Sequence, residues 1–324
     1  MHRRAMIGLP AILIPAVART AMGQDAAWPA ARAIRFIVPV TPGGSQDIVA
    51  RLLARPLSET LGQSVLVENM PGAGSNIGYE YVARARPDGY TLLAGSDSLS
   101  INPGLYPRVG YDPVSDFAPV ARTVRVPQTL VVRADSQAQD LAGLLAMART
   151  QPVSVGTAGN GMLAHLVAEQ VQAATGTRWT FVPYRGGAPA VNDLLAGVLQ
   201  CVAINVTPVA DLVRSGRLRG LFVSSAERLA ILPNVPTLAE AGVVGVPPAV
   251  GWQGVLAPTG TDPAIIARLN TVVRQAMQRP EVMERLGGFG IEPLDEPPEA
   301  MALVIRTDTA RWVEVIRRAG IRAD

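Results

Sequence analysis

Two glycine-rich turns, far apart in the chain, carry the polar groups best suited to bind a ligand. One is Thr41-Pro-Gly-Gly-Ser-Gln-Asp47 and the other is Gly156-Thr-Ala-Gly-Asn-Gly161, and each follows an apolar run. Each turn leads into a stretch with the apolar spacing of an amphipathic helix. The first N–H groups of a helix lack intrahelical acceptors, and the helix dipole places partial positive charge there. The pair of turns therefore predicts a small anion held from two sides.

Short polar side chains add to both turns. Ser45, Thr157 and Asn160 supply donors, and a plain strand-to-helix connection is the competing interpretation of the first turn. Asp47 is expected to cap the following helix or to pair with the arginine four residues later. His165 lies one turn into the second helix, where burial in the core and contact with a ligand are equally open.

Two further strand ends offer ligand contacts. Pro183-Tyr-Arg-Gly-Gly187 forms a third strand-to-helix junction, in which Tyr184 could line a pocket. Arg185 could pair bidentately with a carboxylate or bridge surface acids. Asn205 ends a strand, where polar residues of α/β sheets face the ligand crevice, although a structural role is equally open.

One glycine-rich segment resembles a nucleotide-binding motif. Pro71 to Gly78 has a spacing near that of the dinucleotide fingerprint, and Asp97 follows at roughly the distance of a ribose-binding acid. The segment belongs to the second strand–helix unit and not the first, which disfavours this interpretation. A dinucleotide-dependent reductase is kept as an alternative.

Composition excludes most catalytic chemistry. All 29 basic residues are arginine, so a Schiff-base lysine, a phosphate-loop lysine and a Ser-Lys dyad are excluded. The chain has two histidines, and one of them, His2, lies in the leader described below. His165 with the lone Cys201 cannot build a histidine-rich zinc site, so we expect no metal and no cofactor. An exported hydrolase using His165 with Ser96 or Ser98 remains the enzyme alternative.

The first residues resemble an export signal. A positive start, His2-Arg-Arg4, precedes the short apolar stretch Ala5–Ala18, and Ala21-Met-Gly23 resembles a cleavage site. We predict a signal peptide at 1–23, cleaved near Gly23, and a periplasmic protein exported by the general or the twin-arginine route. Three arginines lie inside this signal, so basic and acidic residues balance in the mature chain, and no nucleic-acid partner is expected.

Short apolar runs alternate with helical stretches along the chain, which predicts an α/β protein. Predicted strands are 34–40, 64–68, 90–94, 121–126, 129–133, 153–155, 179–183, 201–205, 220–224 and 250–257. Predicted helices are 47–61, 77–85, 138–150, 162–174, 188–196, 208–215, 237–241, 263–279, 280–286 and 298–319. Residues 102–119 are rich in Pro, Gly and Tyr and are expected to be irregular.

The extended runs near 121–133, interrupted at Pro127, and at 250–257 are expected to connect two lobes. One lobe would be built from 33–126 and 251–324, and the other from 127–250. A single large sheet is the alternative.

Eight segments of the chain resemble the Bug family, the extracytoplasmic solute-binding proteins of tripartite tricarboxylate transporters. They are Val38–Arg51, Val67–Gly78, Pro87–Leu92, Asn102–Tyr106, Val155–Glu169, Val182–Gly197, Arg217–Ser224 and Leu232–Gly242. The resemblance implies a two-lobed type II periplasmic-binding-protein (Venus flytrap) fold, in which each lobe is a mixed sheet flanked by helices. It also implies a small carboxylate between the lobes, such as a mono- or dicarboxylate, an amino acid or an aromatic acid.

The resemblance also implies partners and a binding site. The partners are the membrane subunits of a tripartite tricarboxylate transporter, which can be encoded elsewhere or be absent, and the protein is expected to be a monomer. Presentation of the ligand to a sensory receptor or kinase is an alternative role. The predicted ligand-binding residues are Thr41, Pro42, Gly43, Gly44, Ser45, Gln46, Asp47, Ser96, Gly156, Thr157, Ala158, Gly159, Asn160, Met162, His165, Tyr184, Arg185, Gly186 and Asn205. Met162 replaces a more usual hydroxyl residue and Asn205 lies in an unusual context, and both changes favour a less polar ligand.

Overall fold

The computed structural model describes residues 28–184 and 186–323, so the predicted signal peptide and Arg185 lie outside the described residues. The strands are β1 Ile34–Val38, β2 Val65–Asn69, β3 Thr91–Ser96, β4 Phe117–Arg133, β5 Val153–Thr157, β6 Trp179–Pro183, β7 Cys201–Asn205, β8 Leu218–Val223, β9 Val250–Pro258 and β10 Glu292–Pro293. The helices are α1 Ser45–Leu61, α2 Asn76–Ala83, α3 Ser98–Leu105, α4 Leu141–Thr150, α5 Leu163–Thr175, α6 Gly187–Leu195, α7 Ala210–Arg214, α8 Pro263–Met277, α9 Pro280–Gly288 and α10 Pro298–Ala319.

One long strand, β4, joins two half-sheets. The first half-sheet has the order β2-β1-β3-β9-β4, with β10 also on β4, and the second has the order β4-β7-β5-β6, with β8 also on β4. Strands β1, β2 and β3 are parallel, as are β5, β6 and β7, whereas β9 runs antiparallel to β3 and β4. Both half-sheets are therefore mixed, as predicted. The change of partner falls between Pro127, which pairs with β9, and Gln128, which pairs with β7.

Each half-sheet has its own apolar core, and two helices connect the cores. Apolar residues of α1 and α8, including Leu53 and Val273, pack with β1, β3 and β9 in the first core. The second core is built mainly from α4, α5 and the strands of the second half-sheet. Leu105 of α3 and Trp312 of α10 also belong to this second core, although α3 directly follows β3 of the first half-sheet. The two halves are thus packed together away from their shared strand.

Three local predictions are wrong, each for a physical reason. The expected break at Pro127 is absent, because its carbonyl oxygen still accepts from the N–H of Val206 (2.9 Å) and the strand continues through it. The stretch predicted to be irregular begins inside α3, which contains Pro103. Proline cannot donate to the Leu99 carbonyl oxygen, which accepts from the hydroxyl of Tyr111 (3.4 Å) instead.

The third wrong prediction is the helix at 237–241. This segment forms turns, and Thr237 makes an isolated parallel bridge with Val223. A capping-type contact is nevertheless present, because the Thr237 hydroxyl accepts from the N–H of Glu240 (3.2 Å). In the part of the chain that the structure describes, no helix has both the length and the apolar character needed to cross a membrane.

Candidate functional site

The starts of α1 and α5 line one cavity of about 200 Å³. Helix α1 begins after Gly44, whose extended backbone accepts from the N–H of Ile48 (3.0 Å), and α5 begins after Met162 in the same way. The first amide groups of both helices have no acceptor within the helix. The described lining residues are Val40, Thr41, Gly44, Ser45, Gln46, Ser96, Asp97, Val126, Gln128, Ala158, Met162, Leu163, Ala164, Ile204, Asn205, Gly251, Trp252 and Gln253. The cavity therefore receives two sets of helix N–H groups from opposite half-sheets.

Asp47 fixes the shape of the first turn. Its carboxylate accepts from the N–H of Gly43 (2.9 Å), from Nδ2 of Asn69 (2.9 Å) and from Nε of Arg51 (3.0 Å). Burial alone would raise the pKa of this carboxyl, but the three donors outweigh it and hold the pKa below its ordinary value. Asp47 is therefore ionised at neutral pH and stabilises the turn without lining the cavity. The predicted pairing with Arg51 is confirmed.

His165 plays a similar part in the second turn. The N–H of Gly161 donates to Nδ1 of His165 (3.0 Å), and the buried imidazole packs against Phe181 with ring centroids 4.4 Å apart. The other ring nitrogen, Nε2, lies 3.5 Å from Glu169 Oε1. Of the two interpretations of His165, the structure thus supports the buried, hydrogen-bonded one.

Gly161 needs the freedom of glycine for two reasons. Its φ is +68°, in the left-handed region, and a Cβ there would lie 2.2 Å from Cδ2 of Leu105 in α3. The second turn therefore packs directly against α3, the helix that follows β3 of the first half-sheet. This contact fixes the spacing between the two sides of the cavity.

The end of β3 forms the floor of the site. Ser96 and Ser98 are hydrogen-bonded to each other (3.0 Å), and the buried Tyr79 hydroxyl contacts both, at 3.1 and 2.6 Å. Between them lies Asp97, whose Oδ2 would be 2.8 Å from a Cβ at Gly251. Glycine at position 251 thus leaves room for this carboxyl group beside the cavity.

Asp97 has an unusual electrostatic environment. Burial, and to a smaller extent the negative charge of nearby Asp308 in α10, together raise the pKa of Asp97 to about 7. Asp308 also has a raised pKa because it is buried, even though it accepts from Nε1 of Trp252 (3.1 Å) and lies near Arg311 and Arg122. Asp97, which lines both cavities, thus interacts with a second buried carboxyl group.

A second cavity of about 440 Å³ adjoins the first. Both are lined by Val40, Gln46, Ser96, Asp97, Met162 and Leu163. The second cavity also receives Gly74 and Ser75 from the segment with the nucleotide-like glycine spacing, together with Gly159 and Asn160 from the second turn. The carbonyl oxygen of Gly74 accepts from Nδ2 of Asn102 (2.7 Å), which anchors this segment to α3.

The structure brings together part of the predicted binding set. Lining the first cavity are Thr41, Gly44, Ser45, Gln46, Ser96, Ala158, Met162 and Asn205, and lining the second are Gly159 and Asn160. Lining neither cavity are Pro42, Gly43, Asp47, Gly156, Thr157, His165, Tyr184 and Gly186. Arg185 lies outside the described residues. Direct contact between any of these residues and a ligand stays a prediction.

Packing explains why several predicted residues line neither cavity. Thr157 is completely buried, and a Cβ at Gly156 would lie 2.5 Å from Leu199, so both serve close packing of β5. The Tyr184 hydroxyl donates to Asp193 (2.6 Å), and the N–H of Gly186 donates to the carbonyl oxygen of Ala158 (3.2 Å). The third junction thus supports the second turn.

Several lining residues were not in the predicted set. Gln128, Gly251, Trp252 and Gln253 come from β4 and β9 near the point where the half-sheets meet. Their signal was weak because each lies within a strand, away from any glycine-rich turn. The sequence spacing predicted Asp97 only as a ribose-binding acid, although its position directly after β3 already indicates a residue at the cavity edge of the sheet.

Comparison with known families assigns a class to this architecture. Residues 49–321 match the model of the tripartite tricarboxylate transporter family receptor. The chain is 40% identical to the protein BugT of Bordetella pertussis (strain Tohama I) over 298 residues, which are 90% of each chain. The predicted resemblance to the Bug family is confirmed.

Solved structures give the same result. The structure of Rpa4515 from R. palustris with adipate is 36% identical in sequence and has a TM-score of 0.81. The match covers 91% of this chain and 99% of that one. MatC from Rhodopseudomonas palustris with bound malate is 30% identical with a TM-score of 0.76, covering 89% of this chain and 99% of that one. These neighbours confirm the predicted two-lobed α/β binding-protein fold.

Proposed function

Because the chain belongs to the tripartite tricarboxylate transporter receptor family, we propose that it captures a small organic carboxylate between its two lobes for uptake by a transporter. Proteins of this family are solute-binding receptors and not enzymes. The hydrolase and reductase alternatives are therefore wrong. Ser96 and Ser98, the candidate nucleophiles of the hydrolase, are instead hydrogen-bonded to each other and to Tyr79.

The observation that carries this proposal is the meeting of two helix starts at one cavity. Free N–H groups at the starts of α1 and α5 are suited to the two oxygens of a carboxylate, and the helix dipoles add a favourable potential. The hydroxyl of Ser45, held by Nε2 of Gln253 (2.9 Å), supplies a further polar contact. Backbone donors recognise the carboxylate group itself, which agrees with adipate and malate in two structural neighbours.

We infer that binding closes the two lobes by a hinge motion. The lobes are taken as 33–126 with 251–324, and 127–250. The hinge then lies in β4 between Pro127 and Gln128 and at the start of β9, where the half-sheets exchange partners. Closure would bring the starts of α1 and α5 onto the same ligand.

We also propose where the protein acts. Removal of residues 1–23 would release a mature receptor into the periplasm, and the closed form would dock on membrane subunits of a tripartite tricarboxylate transporter. A monomer suffices for this role, because both helix starts come from one chain.

Thermal-shift screening of refolded, ligand-free protein against small carboxylic acids tests the proposal. A ligand at about a hundred times its dissociation constant adds about 2.7 kcal/mol to the free energy of unfolding. Absence of any carboxylate hit, with hits among sugars or metal ions, would contradict it.

Substitution at the start of α1 makes the test specific. Gly44→Asp places a carboxylate at the N-cap, where φ is −74° and the nearest atoms to a Cβ lie 3.9 Å away. An N-cap aspartate stabilises a helix, so we expect an unchanged or higher melting temperature together with loss of carboxylate binding. Gly44→Ala is the matched control and should keep binding, because it adds the same Cβ without the charge.

A further inference from the structure

The described lining of the first cavity includes one charged side chain, and it is an acid. Asp97 lines both cavities, and the remaining described lining residues of the first cavity are neutral. No ion pair links Asp97 to an arginine within residues 28–184 and 186–323. In its ionised form, Asp97 repels a second carboxylate of a dicarboxylate ligand.

Two further hydrogen-bond acceptors in the cavity lining lack donors. Gln253 is only 7% exposed, and its Oε1 has no hydrogen-bond partner, while its Nε2 is already used by Ser45. Oδ1 of Asn205 is likewise buried without a partner. Both residues line the first cavity with Asp97. Buried acceptors are normally paired, so we expect a bound solute to supply the donors for these two oxygen atoms.

The groups packed around Asp97 do not neutralise it. Asp308 of α10 adds negative charge, and Tyr79 of α2 is a buried neutral hydroxyl. Arg311 and Arg122 lower the pKa of Asp308, so their positive charges act on that carboxyl. A cation arriving from the cavity would therefore be attracted mainly by Asp97, which lines the cavity.

We propose that Asp97, Oε1 of Gln253 and Oδ1 of Asn205 receive a protonated nitrogen of the solute, so that the solute is a zwitterion and not a dicarboxylate. An ammonium group has three N–H donors and no acceptor, which matches the three acceptors of this cavity lining. The solute carboxylate lies at the starts of α1 and α5, so this inference rests on the proposed function. The result is an amino-acid-like ligand whose carboxylate faces the starts of α1 and α5 and whose ammonium group faces Asp97, Gln253 and Asn205.

Matched ligand pairs test this assignment by isothermal titration calorimetry on refolded, ligand-free protein. The pairs are alanine with lactate, phenylalanine with phenyllactate, β-alanine with succinate, and γ-aminobutyrate with glutarate. Whichever pair fits the cavity, we expect the ammonium member to bind at least about tenfold more tightly. Tighter or equal binding of the lactate or dicarboxylate members would overturn the inference and leave the proposed function intact. Failure of every carboxylate to bind would contradict both.

Asp97→Asn identifies the residue responsible. We expect the variant to lose about tenfold or more in affinity for the preferred zwitterion and to bind its ammonium-free partner as well as before or better. Glu59→Gln removes an exposed carboxylate that lies outside both cavities, and it should change neither affinity. Retention of the full zwitterion preference in Asp97→Asn would overturn the inference.

The pH dependence of the wild-type protein gives a second test that needs no variant. Asp97 ionises near pH 7. If Asp97 binds an ammonium group, affinity for the zwitterion rises between about pH 6 and about pH 8, where the ligand amine stays protonated. A flat or falling affinity over this range would contradict the assignment, because a protonated Asp97 that donates to an anion gives the opposite slope.

Discussion

Asp47 shows how a residue can shape a binding site that it does not line. It accepts from Gly43, Asn69 and Arg51, so three parts of the chain converge on one carboxylate. Its pairing with Arg51 could be predicted from the four-residue spacing alone. The contact with Asn69 could not, because it depends on β1 and β2 lying side by side.

We expect Asp47→Asn to lower the free energy of unfolding by roughly 2 kcal/mol, because the donors around the carboxylate lose an ionised acceptor. Carboxylate affinity should fall as well, since the turn before α1 loses its anchor. Chemical denaturation and calorimetry measure the two effects. Glu59→Gln on the exposed side of the same helix should change stability by no more than about 0.5 kcal/mol. Equal effects of the two substitutions would contradict this role for Asp47.

The raised pKa of Asp97 predicts that the free energy of unfolding falls as the pH rises. Its pKa is about 7 in the folded protein against an ordinary value of 3.8, so the folded state holds a proton that the unfolded state releases. The free energy of unfolding should therefore fall as the pH rises from about 4 to about 7, by about 3 kcal/mol from this group. Ligand-free Asp97→Asn should lose that part of the slope in thermal denaturation. Parallel curves for the two proteins would exclude the raised pKa.

At the scale of elements, the glycine-rich turns were predictable and the walls between them were not. A strand, a glycine-rich turn and an amphipathic stretch mark α1 and α5 in the sequence itself. Helix α3 was missed because Asn102, Pro103 and Gly104 together resemble a turn. In the fold, Asn102 instead donates to the Gly74 carbonyl oxygen, and the helix survives around its proline.

The contact between α3 and the second turn gives a prediction at this scale. Gly161→Ala should lower the free energy of unfolding by roughly 1 kcal/mol because the backbone is left-handed there. The clash of the new Cβ with Leu105 should lower it by about 1 to 3 kcal/mol more. Gly176→Ala is the matched control, because φ is +63° there and no atom lies within 4 Å of a Cβ. Urea denaturation of both variants measures the difference.

The double variant Gly161→Ala with Leu105→Ala tests the cause. The smaller side chain at position 105 should remove part of the clash, so the double variant should be more stable than the sum of the two single effects predicts. This difference is a favourable coupling energy in the double-mutant cycle. Simple additivity of the two substitutions would show that α3 does not press on the turn.

At the scale of the whole molecule, the order of strands and helices was largely predictable, including the mixed sheets. The exchange of partners along β4 was not, because nothing local to Pro127 distinguishes a strand that ends from one that changes neighbours. Only the pairing of distant segments, Val206 to Pro127 and Val250 to Pro127, reveals it.

The packing of α10 constrains the proposed closure. Arg311 donates to the carbonyl oxygens of Pro247 and Pro248 (3.1 and 2.9 Å) and to Oε1 of Gln170 in α5 (3.1 Å). We therefore expect α10 to act as a pivot that stays in contact while the cavity side opens and closes.

Small-angle X-ray scattering tests this motion. The radius of gyration should fall when the preferred carboxylate is added to ligand-free wild-type protein. It should not change for Gly44→Asp, which we expect to keep the fold and to lose ligand binding. An unchanged radius in the wild-type protein at saturating ligand would argue against hinge closure.

The most direct test of the central claim is a crystal structure of the mature protein with its tightest-binding carboxylate. We predict one carboxylate group with its oxygens about 3 Å from amide nitrogens at the starts of both α1 and α5. A ligand carboxylate bound elsewhere, with the amide groups that follow Gly44 and Met162 facing only water or an apolar group, would contradict the account.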